Sequence, residues 1–169
     1  MPISYTRRMN KLLTADLHGR LERSLREFPE LAERTFTVGV TKTCAGTADA
    51  AQMLIRLNVR RRTPVSYFTI GHELTHLLQS AGFRVVPDGE VQCDVWTLAK
   101  SELFLDDQPT YLCQRLWSHS NWPEYAKTVR ELCIQAIEMR RANRRYLRWL
   151  NAAIEQRVRL LSPMRCNHL

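Results

Sequence analysis

The segment Gly71-His72-Glu73-Leu74-Thr75-His76-Leu77-Leu78-Gln79 sets two histidines four positions apart, in a stretch where Ile70, Leu74, Leu77, Leu78 and Ala81 recur at helical spacing. Pro64 suits the start of a helix and Gly82 its end, so the pattern predicts a helix over residues 64–81. A fold for this chain has to bury the apolar stripe of that helix while both imidazoles converge on one point.

Side chains at i and i+4 of a helix share a face, with Cβ atoms about 5–6 Å apart. Two neutral imidazoles so placed, in the pattern H-E-x-x-H, can grip one metal ion without straining the backbone. Glu73 stands beside the pair, where a carboxylate can take a proton from a metal-activated water. The competing reading makes His72 and His76 surface histidines and Glu73 an ordinary helix charge. Against it, neither x position is charged, the helix has its own apolar face, and a predicted strand precedes it.

A catalytic zinc site has three protein ligands and an open fourth position, so a third ligand is expected. Glu90-Val-Gln-Cys-Asp94 offers carboxylates at i and i+4 on the next predicted helix, residues 90–103. Glu90 could complete the site while Asp94 accepts a hydrogen bond from a ligand histidine. Acidic residues are also favoured at helix starts by the macrodipole, which is the alternative for both. His119 is a rival third ligand; His18 and His168 are weaker rivals, lying near no recognisable partner.

The rest of the sequence supplies a frame. Leu12, Leu13, Leu17, Leu21, Leu25 and Phe28 predict an amphipathic helix over 9–28, stopped at Pro29. Alternating apolar residues over 34–42 and 52–59 predict two strands, readable as a hairpin with Gly46 and Asp49 in its connection. Asp106, Asp107 and Pro109 break the chain, a short helix is expected over 110–118, and a long one from Pro123 to about Leu161. At 169 residues and 44% hydrophobic, this is expected to be one domain, 1–169, with a core over 34–105 and a helical part over 109–161. The five cysteines are odd in number and contain no C-x-x-C pair, so reduced thiols are expected. No apolar run approaches the ~20 residues of a membrane span, and the first 20 residues carry no secretory signal pattern. The expected compartment is the cytoplasm, with no membrane partner.

His72, Glu73, His76, Glu90 and Asp94 match residue for residue the pattern of the gluzincin metallopeptidases, H-E-x-x-H followed on a later helix by E-x-x-x-D. With 13 residues between His76 and Glu90, the match looks most like the compact minigluzincins. Ile55-Arg56-Leu57-Asn58 ahead of Thr63-Pro64 also resembles the strand-to-helix connection of small zincins, including SprT-like proteases. Those use a histidine as third ligand at a shorter distance, which this sequence lacks. The resemblance covers residues 34–105. It implies an α+β, zincin-like fold with a small twisted sheet packed on the active-site helix, a cleft along the sheet's edge strand, and one Zn2+ per chain.

On that reading the chain is a zinc-dependent endopeptidase. Glu73 would accept the proton of the attacking water and pass it to the leaving amine. The tetrahedral intermediate needs a further donor, for which Tyr111, His119 and Arg115 are candidates. The strand edge around Leu57 and Asn58 could take an extended peptide or unfolded protein as an added strand.

Residues 127–165 hold ten Lys or Arg against three Glu, most of the net charge of +8. Arg140, Arg141, Arg144, Arg145 and Arg148 crowd one stretch of the long helix and could contact a phosphate backbone, or simply form a solvated face. A nucleic-acid-associated, SprT-like protease is therefore one alternative. The other is a catalytically silent or self-capped zinc-binding regulatory protein, with Cys166 and His168 at the terminus as capping ligands.

Overall fold

The computed structural model describes residues 3–80, 82–83, 85–113 and 117–161. Among these, six helices and a four-stranded mixed sheet give an α+β architecture. The strands are β1 (Ile3–Tyr5), β2 (Phe36–Val40), β3 (Gly46–Asp49) and β4 (Leu54–Leu57), in the spatial order β1-β2-β4-β3. β2 runs parallel to both β1 and β4, whereas β3 is antiparallel to β4.

The expected hairpin of 34–42 with 52–59 is therefore corrected. Those two strands are parallel neighbours, and the hairpin is formed by β3, within the segment read as their connection, with β4. β3 escaped detection because Gly46-Thr-Ala-Asp49 carries no apolar alternation, and all four residues are half-buried. The edge assigned to Leu57 and Asn58 is corrected too. Leu57 pairs with Val40 on one side and Gly46 on the other, and the Asn58 amide donates to the Ala45 carbonyl at 2.9 Å. The edge strand beside the motif helix is β3.

The predicted N-terminal helix divides into α1 (Arg7–Asn10) and α2 (Ala15–Arg26). Thr6 and Thr14 each cap a helix start, accepting from the amides of Met9 and Leu17. Leu17, Leu21 and Leu25 of α2 join Phe36 and Val38, Ile55 and Leu57 of the sheet, and Ile70, Leu74, Leu77 and Leu78 of α3 (Tyr67–Leu78) in a first core.

The start of α3 is held from a distance. The Asp106 carboxylate accepts from the amides of Tyr67 at 2.7 Å and Phe68 at 2.9 Å, while Ser66 Oγ accepts from Thr69 at 3.1 Å. Three first-turn donors that a helix leaves unpaired are thus satisfied. Asp106, read in the sequence as a breaker, is part of this cap.

α4 (Glu90–Lys100) crosses α3 and is followed by a 3-10 turn, Glu102–Leu105. The crossing is close at Gly71, where a Cβ would lie 2.8 Å from both Phe104 and Thr97 side-chain carbons. No helix is formed by residues 110–113, which bend, so the short helix expected over 110–118 is not present among the described residues.

The long C-terminal helix is replaced by a pair, α5 (Trp122–Met139) and α6 (Tyr146–Leu161). A continuous helix over 123–161 would extend nearly 60 Å at about 1.5 Å per residue and leave much of its apolar stripe exposed. Folding back instead packs Val129, Leu132, Cys133 and Ala136 with Tyr146, Leu150, Ile154 and Val158 in a second core, which Val95 and Leu98 of α4 also enter. Asn143 Oδ1 accepts from the Arg145 amide at 2.8 Å within the turn. No helix is long and apolar enough to cross a membrane among the described residues.

Candidate metal centre

α3 and α4 bring His72, His76, Glu90 and Asp94 together. His72 Nε2 and His76 Nε2 lie 3.2 Å apart, and each is 3.1 Å from the same oxygen, Glu90 Oε2. A tetrahedral zinc with nitrogen and oxygen arms of about 2.0–2.1 Å has ligand atoms about 3.3–3.4 Å apart. The three atoms therefore form a closed triangle close to the size of one face of that tetrahedron.

The orientation of both rings is fixed from behind. His72 Nδ1 lies 2.8 Å from Asp94 Oδ1, and Asp94 Oδ2 accepts from the amides of Tyr111 and, at 2.8 Å, Leu112. Asp94 is fully buried and His72 only 6% exposed. His76 Nδ1 lies 2.8 Å from Gln79 Oε1, and Gln79 Nε2 donates to the Pro87 and Gly89 carbonyls at 2.6 and 3.0 Å. With Nδ1–H donated to an oxygen in each ring, both Nε2 lone pairs are free for a cation.

Cys93 adds a second possible donor. Its Sγ lies 3.2 Å from His76 Nδ1, and His72, His76 and Cys93 form a cluster that could hold a metal ion. Sequence reasoning overlooked both Cys93 and Gln79. Their signal was positional: Gln79 is three residues from His76 on α3, and Cys93 is three from Glu90 on α4.

Glu73 is 5% exposed and faces the edge strand. A Cβ at Gly46 would lie 2.5 Å from Glu73 Oε1 and 2.7 Å from its Cγ, so a residue without a side chain is required where β3 passes. Burial, reinforced by the charge of Glu90 and opposed by His72, raises the Glu73 carboxyl to about 7. Burial disfavours the His72 imidazolium, but the hydrogen bond and charge of Asp94, with Glu73 and Glu90, outweigh it and leave its pKa raised. Burial and the same acids push the Cys93 thiol well up.

Of the three candidate donors, Tyr111 stands at the centre. Its ring stacks on that of His72, with centroids 5.7 Å apart and an interplanar angle of 25°, and it remains 43% exposed. Burial and the charges of Glu90, Asp94 and Glu73 raise its phenol pKa. His119 instead pairs with Asp107 at 3.1 Å on an exposed side chain, so the structure gives it no part in the triangle. Arg115 lies outside the described residues. Of the rival ligands, His18 Nδ1 bonds Tyr5 Oη at 2.7 Å, and His168 lies outside the described residues, as does Cys166.

The five arginines do not share a helix face. Arg140 ends α5, Arg141, Arg144 and Arg145 lie in the turn, and Arg148 is in the first turn of α6. All are exposed, none has an ion-pair partner among the described residues, and the Arg140 guanidinium sits 5.7 Å from the centre of the Trp96 ring.

Comparison with protein-family models, with curated proteins and with solved structures finds no match to this chain.

Proposed function

We propose that the chain is a zinc-dependent peptide hydrolase of gluzincin type, with a zincin-like fold and His72, His76 and Glu90 as ligands. The observation that carries this reading is the triangle of His72 Nε2, His76 Nε2 and Glu90 Oε2, with sides of 3.1–3.2 Å. Glu90 is preferred to Cys93 as third ligand on geometry: Glu90 Oε2 lies 3.1 Å from both Nε2 atoms, whereas the Cys93 sulfur approaches His76 Nδ1, the nitrogen that already bonds Gln79.

A zinc ion held there supplies Lewis-acid chemistry, acidifying a water and polarising a peptide carbonyl. Glu73 takes one proton from the attacking water as its oxygen bonds to the carbonyl carbon. When the C–N bond breaks, the same carboxyl returns that proton to the leaving nitrogen. The Tyr111 hydroxyl donates to the oxygen on which negative charge develops. The free edge of β3 takes the substrate as an added strand, which favours extended or unfolded chains over folded ones.

Glu73→Gln tests the assignment. It should keep zinc and lower hydrolysis of an unfolded, fluorescence-quenched protein by about 10²- to 10⁴-fold. Turnover equal to wild type would remove Glu73 as the base.

A second reading is added by the arginine turn. Five exposed guanidinium groups within nine residues, none paired with a carboxylate among the described residues, suit a run of phosphates. On this reading the protease is held near nucleic acid.

A further inference from the structure

We propose that a cavity beside the metal centre is a substrate subsite for an acidic side chain, with Arg61 as the residue that sets the preference. This rests on the peptide-hydrolase reading of the same centre.

The cavity is about 310 Å3, at the lower end of the range for ligand pockets. Its walls belong to the segments that build the centre. Ala45 immediately precedes Gly46, the residue against Glu73. Phe68 lies one helical turn before His72, with the two rings 6.0 Å apart, and Thr69 lies one turn before Glu73. Pro109 stands two residues before Tyr111. A peptide laid along β3 with a carbonyl at Glu73 therefore runs past this opening, and a side chain close to the cleaved bond enters it.

Two ionisable residues line the cavity, Asp107 and Arg61. Asp107 is engaged, with Oδ1 accepting from the Gln108 amide at 2.9 Å and lying 3.1 Å from His119 Nδ1. Arg61 has no ion pair or side-chain hydrogen bond among the described residues, and its neighbours Arg60 and Arg62 likewise have no ion pair. Arg61 belongs to the cationic run Arg60-Arg61-Arg62, which outweighs the single Asp107 carboxylate of the lining, and Phe68 and Pro109 supply apolar wall. A glutamate or aspartate side chain fits both features, because a guanidinium fork binds a carboxylate by charge-assisted hydrogen bonds. A lysine in the same place meets the like charge of Arg61.

The test uses matched peptides that differ only in Glu, Gln or Lys at each position flanking the cleaved bond. Binding is read by fluorescence anisotropy on the zinc-loaded Glu73→Gln protein, and cleavage on wild type. At one position Glu should exceed Lys by about 10- to 100-fold in both readouts, and Arg61→Glu should invert the order. Cleavage without preference, or a preference that survives Arg61→Glu, overturns the subsite and leaves the hydrolase reading standing. A binding preference that inverts with Arg61→Glu, without any cleavage by wild type, overturns the hydrolase reading and leaves the subsite for an acidic side chain standing.

Discussion

Gly46 and Glu73 are packed so that a single methyl group on the glycine would clash with the Glu73 side chain, 2.5 Å from its Oε1 and 2.8 Å from its Cδ. The edge strand and the base of the proposed reaction are thus one unit: β3 fixes the carboxylate, and the carboxylate requires a bare backbone in β3. Gly46→Ala is expected to retain zinc while peptide hydrolysis falls by about 10- to 100-fold, the scale of an ångström-sized misplacement. Metal content and kcat measured on the same preparation check this; unchanged kcat would mean that Glu73 tolerates displacement.

Asp94 links the His72 ring to the backbone amides of Tyr111 and Leu112. Asp94→Asn is expected to weaken zinc binding by about 10- to 100-fold, the usual effect of losing a carboxylate behind a ligand histidine. Competition with a chelating dye measures this directly. An unaltered Kd would show that the ring is held by packing alone.

Tyr111→Phe keeps the ring that stacks on His72 but removes the hydroxyl. If that hydroxyl donates to the developing oxyanion, kcat should fall by about 10²-fold with KM little changed. A rise in KM at constant kcat would instead make Tyr111 a substrate-binding residue.

The Asp106 cap predicts a stability effect separate from chemistry. Asp106→Ala leaves the Tyr67 and Phe68 amides without their partner and should cost about 1–2 kcal/mol of unfolding free energy in urea. A change below a few tenths of a kcal/mol would show that water replaces the carboxylate there.

For the arginine turn, binding to duplex DNA should fall with salt at a slope of about −4 to −5 in log–log form if all five guanidinium groups meet phosphates. Binding that ignores salt, or that survives Arg141→Ala combined with Arg144→Ala and Arg145→Ala, would contradict the second reading.

How far the sequence alone reached depended on the kind of signal each element carries. α3 and α4 were legible because apolar spacing and helix punctuation agree there, and i,i+4 geometry then brings His72, His76, Glu90 and Asp94 near one another once the helices cross. β3 was not, since its four residues make backbone pairs rather than a buried apolar row. That one omission also moved the expected substrate edge from β3 to β4. The α5–α6 turn was missed for a different reason. Nothing in Arg140-Arg141-Ala142-Asn143-Arg144-Arg145 forbids helix locally, and only burial of both apolar faces in one core favours the reversal. The Asp106 cap depends on a contact between segments, which spacing along one helix does not specify.

The identity of the three ligands is decided by elemental analysis of metal per chain, on wild type, Glu90→Ala and Cys93→Ser purified without a histidine tag. With His72, His76 and Glu90 as ligands, about one zinc per chain is expected in wild type, retained in Cys93→Ser and lost from Glu90→Ala on dialysis. Zinc kept by Glu90→Ala and lost from Cys93→Ser, or no zinc held by wild type when it is offered, would contradict that ligand set.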